Sequence, residues 1–231
     1  LEEKKRLSWV QYINSFQTSD SNYIENLYID PEYINAIYNF NIVSSSKNMI
    51  KSFLTNSRIK QYETLDDFVI RSLRAETKQA IVTVKEAGYK SEFIYRDMID
   101  KDDFIIDFLK KQNWKSPWMA GAQFANMSLF LSQLQDEIIK NHIKDMIKFI
   151  DELCDPLTGA YFVKPKPSNR ELINGSMKVI SGLDWLDKEI NYPEKLIDLC
   201  LSSNISHDGC DLVDVVYVLF KCSNQTAYKR N

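Results

Sequence analysis

The chain predicts an all-α fold of repeated helical hairpins, and three observations carry that prediction. Only 6 Gly and 6 Pro punctuate 231 residues. The segments between them repeat apolar residues at three- and four-residue spacing, the period of one helix face rather than the alternation of a strand. Hydrophobic residues make up 44% of the chain, with 12 Phe, 12 Tyr and 4 Trp, which is enough for a sizeable core and too much for a disordered chain. A single core keeps growing to about 250 residues, so one domain over residues 1–231 is expected.

Taken in order, Ser8 to Phe16 reads as a short first helix. Pro31 to Phe40 follows, with Pro31 suited to a first helical turn, and then Lys47 to Leu54. The clearest stripe is Phe68, Ile70 to Leu73, Ala80, Ile81 and Val84, stopping near Gly88. Further helices are expected over Phe104 to Leu109, Met119 to Leu134, Ile138 to Leu153, Leu172 to Leu186, Leu196 to Leu201 and Leu212 to Phe220. The chain also echoes itself. Tyr12 to Gln17, a polar turn and Tyr23 match Phe149 to Cys154, the turn Asp155-Pro156-Leu157-Thr158-Gly159 and Tyr161. Recurrence on this scale suggests stacked hairpins that bury a shared core.

Charge and motif content exclude several classes. With 29 basic against 32 acidic residues the net charge is −3, and no like-charge block exceeds Lys4-Lys5-Arg6, so no footprint for nucleic acid or an anionic membrane surface is present. No apolar run approaches the roughly 18 residues that span a bilayer, and the opening Leu1 to Arg6 has no signal-peptide core. Cys154, Cys200, Cys210 and Cys222 form no CxxC pair in a chain large enough to fold without disulfides, so reduced thiols and a cytoplasmic location are expected. A Gly-rich phosphate loop, a GxSxG elbow and a dinucleotide fingerprint are all missing, and no cofactor is implied. Of the two His, His142 sits in the charged run Lys140 to Lys144 and is expected on the surface.

Five pieces of sequence resemble the helix starts and turns of α/α-toroid proteins: Tyr12 to Gln17, Arg74 to Ala80, Ser116 to Ala122, Asp155 to Gly159 and Asn174 to Lys178. That superfamily includes terpenoid cyclases, protein prenyltransferases and the toroid domains of polysaccharide lyases and glycosidases. The likeness is one of pattern and matches no single family's signature. It implies a complete or partial toroid in which inner helices, beginning near Arg74, Trp118, Asn174 and Cys210, surround a central cavity and carry the site.

The candidate site residues follow. Asp208 and Cys210 have the Asp-x-Cys spacing of the prenyltransferase zinc site, but no downstream His completes a ligand set, so no metal is assigned and a prenyltransferase-like metal enzyme stays a remote alternative. The Asp-x-Asp-Asp acid motif of squalene cyclases is absent. Sugar chemistry remains, for which paired carboxylates act as acid and base and aromatics stack on rings. In this reading Trp118 and Tyr161 stack on an oligosaccharide or polysaccharide, Gln123 lines the same helix as Trp118, and Asn174 and Lys178 hold a hydroxyl or carboxylate. Asp211 or Asp214, a turn apart, supplies acid–base function. Each has a plain structural alternative: Trp118 in the core, Asn174 and Asp211 as helix caps, Lys178 in solvent. The basic run Val163 to Arg170 is read as an interhelical loop, with closure over an anionic substrate as the alternative. The rival reading is a helical scaffold that binds a protein partner through tyrosines such as Tyr23, Tyr28, Tyr33 and Tyr38.

Overall fold

The computed structural model describes residues 3–15, 65–90, 104–134, 137–204 and 210–228. Among these, all regular structure is helical: α1 (Glu3–Asn14), α2 (Leu65–Glu86), α3 (Phe104–Lys110), α4 (Pro117–Ser132), α5 (Glu137–Leu153), α6 (Asn169–Trp185), α7 (Pro193–Ser202) and α8 (Cys210–Ser223). The helices expected over Pro31 to Phe40 and Lys47 to Leu54, and the tyrosines Tyr23 to Tyr38, lie outside the described residues. The chain divides into two compact units, Leu1–Asp97 and Met98–Asn231.

In the first unit α1 packs against α2. Val10 is the buried residue of α1, while Thr77, Ile81 and Val84 recur at four- and three-residue spacing to form the buried stripe of α2. The amide of Gly88 donates to the Lys85 carbonyl and closes the helix where the sequence places its stop.

The second unit is organised by α4, α6 and α8. Pro117 opens α4, where its missing amide hydrogen costs nothing, and the helix is then buried on almost every side. Its neighbour α6 starts at the Ser168 cap, whose hydroxyl accepts from the amide of Glu171. The two helices touch backbone to backbone. A Cβ on Gly175 would lie 2.7 Å from the Pro117 Cβ, so only glycine permits this approach. Gly121 faces Gly175 and Val179, and Phe124 and Ser128 face Gly182, so the contact climbs both helices together and α4 and α6 run parallel. The same holds for α8: Asp211 meets Arg170 and Asn174 near the start, and Lys221 pairs with Asp184 at 2.6 Å near the end. Three parallel helices therefore present their N-terminal ends on one side.

The helices between them return in the opposite sense. Thr226, just past the end of α8, donates to Glu194 at the start of α7, which fixes α7 antiparallel to α8. Between α6, α7 and α8 lies a core of Leu172, Ile173, Ile180, Leu196, Ile197, Leu199 and Val218. Each such side chain contributes about 1.5–3 kcal/mol when fully buried. On the other side α5 packs on α3 and α4, burying Ile139, His142, Met146 and Ile150 along one stripe. His142 is thus a buried residue, contrary to the surface position its charged neighbours suggest, because it occupies the inward register set by Ile139 and Met146.

The turn after α5 forms as its residues predict. Asp155 Oδ2 accepts from the Thr158 hydroxyl at 2.7 Å and the Thr158 amide at 3.1 Å. Gly159 takes φ of 71°, a left-handed conformation that favours glycine, and the chain returns to pair Tyr161 with Cys154. Among the described residues no helix is long and apolar enough to cross a membrane.

Candidate functional site

The polar cluster lies at the N-terminal ends of the three parallel helices. Asp211, in the first turn of α8 and buried, accepts from Asn174 Nδ2 at 2.8 Å and from Arg170 Nε at 2.6 Å. The Arg170 guanidinium also rests over the Trp118 ring, 5.3 Å from its centre, and so ties α4, α6 and α8 together. Glu171 accepts from the Ser116 hydroxyl at 2.7 Å and from the Trp118 amide at 3.1 Å, at the start of α4. Residues 170, 174 and 178 fall on one face of α6, so Lys178 follows Asn174 by one turn. Its Cβ lies close against Gly121 of α4.

Asp214, a turn beyond Asp211, is buried, and among the described residues its Oδ2 accepts no hydrogen bond. Burial pushes its carboxyl up to about 6; Lys178 opposes the rise, Asp211 adds to it, and Arg170 opposes it. A carboxyl poised there can hold or release a proton near neutrality, as an acid–base group must. It is also an acceptor that calls for a donor, since buried polar atoms are nearly always paired.

Five residues singled out in the sequence thus come together: Trp118, Asn174, Lys178, Asp211 and Asp214. Asn174 is not a cap. Asn174 lies inside α6, whose cap is Ser168, and the helix containing Arg74 likewise begins well before it, at Leu65. Gln123 does not join them. Five residues beyond Trp118, it is turned about 140° around α4. It is buried, with an Oε1 that accepts no hydrogen bond among the described residues. Tyr161 is elsewhere again. Its ring is fully buried, its hydroxyl donates to Asn191 Oδ1 at 3.2 Å, and it neighbours Cys222 at the far end of α8. Stacking on a sugar needs an exposed ring face, which Tyr161 lacks, and burial holds its hydroxyl well above the ordinary range, which removes it as a base.

Arg170 and Glu171 complete the cluster, and the sequence singled out neither as a site residue. Arg170 reads as the last charge of a basic loop, yet it belongs to the first turn of α6; the signal was its four-residue spacing from Asn174 and eight from Lys178. Cys210 is exposed, whereas Asp208 and His207 lie outside the described residues. A separate surface cleft of about 420 Å³ lies between α3 and α5, lined by Ile106, Asp107, Lys110, Asp145, Lys148, Phe149 and Glu152, none of them a site candidate.

No protein-family model, curated protein or solved structure matches the chain.

Proposed function

We propose that the N-terminal ends of α4, α6 and α8 bind a sugar chain, and that these parallel helices are the inner helices of a complete or partial α/α toroid. The observation that carries the reading is Asp214: a buried carboxyl with an oxygen that accepts no hydrogen bond among the described residues, set beside Lys178, Arg170 and Asp211. Such an acceptor suits a sugar hydroxyl, Asn174 and Lys178 supply donors, and Trp118 offers an aromatic surface where it is not covered by Arg170. If the sugar is processed, Asp214 is the proton carrier, with Asp211 held by Arg170 and Asn174 as its charged neighbour. Calorimetric titration of the full chain with neutral and acidic oligosaccharides tests this. Binding is expected and should fall at least tenfold in Asp214→Asn; a folded chain that binds no sugar ends the proposal.

A second reading has one observation in its favour. Val213, Val216 and Phe220 are exposed at three- and four-residue spacing along α8, an apolar stripe of the kind that binds proteins. A helical scaffold would lose partner binding on Val216→Glu and retain any sugar binding.

A further inference from the structure

Arg170 has more donors than its neighbours use. Its Nε is committed to Asp211 at 2.6 Å, and its guanidinium plane is steadied over Trp118 at 5.3 Å. The two terminal nitrogens donate to no described residue, and half of the side chain remains open to solvent. A guanidinium held by one edge and one face presents its remaining end as a rigid fork, and that fork matches the two oxygens of an anionic group better than a single hydroxyl. Lys178 adds a second cation two turns along the same face of α6. The acceptor one turn beyond Asp211 is Asp214, buried and lacking a donor to its Oδ2 among the described residues. The donors and the acceptor therefore ask for different things of one ligand: an anionic group at the outer edge, and a hydroxyl further in.

We infer that the ligand is an anionic sugar, whose carboxylate, sulfate or phosphate group is taken end-on by the terminal nitrogens of Arg170 while a ring hydroxyl points toward Asp214. This rests on the sugar-binding reading above. It assigns to Arg170 the choice between charged and neutral sugars. Replacing two neutral hydrogen bonds by two charge-assisted ones favours the charged sugar by about 10- to 100-fold.

The test titrates the full chain with four probes: a trigalacturonate, the matching neutral galactose trimer, a sulfated galactose oligomer and galactose 6-phosphate. At least one anionic probe should bind tenfold or more tightly than the neutral trimer, and the best of the three names the anionic group. Because Arg170 also neutralises the buried Asp211, Arg170→Gln is paired with Arg170→Lys, which keeps a positive charge there but loses the fork. The ratio of anionic to neutral affinity should collapse in both, with circular dichroism confirming the fold. Lys195→Gln, on exposed α7 surface, should change nothing. Equal affinity for neutral and anionic trimers would overturn this inference and leave sugar binding standing. Anionic preference that survives both Arg170 variants would overturn the role of Arg170. Binding of none of the four would overturn both proposals.

Discussion

Replacing Asp214 by Asn should make the protein more stable, and the size of the gain follows from where the carboxyl lies. Its raised value means that the folded chain holds the proton more tightly than the unfolded chain does. The corresponding stability is fully present below 3.8, the ordinary value, and is lost as pH rises through about 6. The interval between 3.8 and about 6 spans roughly two tenfold steps in proton affinity, or about 3 kcal/mol at 1.36 kcal/mol per step. The cluster borders solvent, and screening there reduces the expected gain to about 1–2 kcal/mol. Asn has nearly the same shape and never ionises, so it avoids the loss. Thermal and urea unfolding of both proteins at pH 4.5 and pH 8 measures the effect. At pH 8 the melting temperature of Asp214→Asn should exceed that of the parent by about 3–6 °C, and at pH 4.5, inside the window between 3.8 and about 6, the excess should shrink to about a third of that. A variant no more stable at pH 8, or equally stabilised at both pH values, would refute the argument that a buried charge is being tolerated. Increased stability together with lost sugar binding is the pattern expected where a residue is retained for function at a cost to the fold.

Two further outcomes follow from packing and burial. Gly175→Ala should destabilise the protein by about 1–3 kcal/mol in urea unfolding, because the new Cβ would meet Pro117 at 2.7 Å and its backbone carbon at 2.9 Å; an unchanged midpoint would mean that α4 and α6 are not in backbone contact. Among the four thiols, Cys154, Cys200 and Cys222 are each pushed up to about 12, chiefly by burial, while Cys210 is exposed. Iodoacetamide at pH 8 should therefore label the native protein at Cys210 first, as read by peptide mass spectrometry, since the thiolate is the reactive form. Labelling of Cys200 or Cys222 at the same rate would contradict their burial.

Much of the helical content could be read from residue spacing. The inward Ile81 and Val84, the stop at Gly88 and the turn from Asp155 to Gly159 all lie where local chemistry puts them, because each depends on residues close in the chain. The cluster was legible in part for the same reason. Asn174 with Lys178, and Asp211 with Asp214, share a face through helix geometry alone. What joins them across helices is not local. Arg170 lies over Trp118 because the Gly175 backbone lies against Pro117, drawing α4 and α6 together, and it reaches Asp211 because α8 runs parallel beside α6.

The residues misplaced from the sequence point to the same boundary. His142 looks solvated from its charged neighbours but falls on the buried stripe of α5. Tyr161 looks free to reach a ligand but is closed in by the return of the chain at Gly159. Gln123 shares a helix with Trp118 and faces away from it. The sequence by itself determined where the helices form, which of their faces are apolar and which polar residues ride together, since these follow from a period of 3.6 residues and from short-range capping. Only the tertiary structure decided which faces meet and, among the described residues, which carboxyl is left buried without a donor to its Oδ2 and which cation keeps donors to spare. Those properties depend on distances between residues roughly 40 to 90 positions apart, and only the packed helices set them.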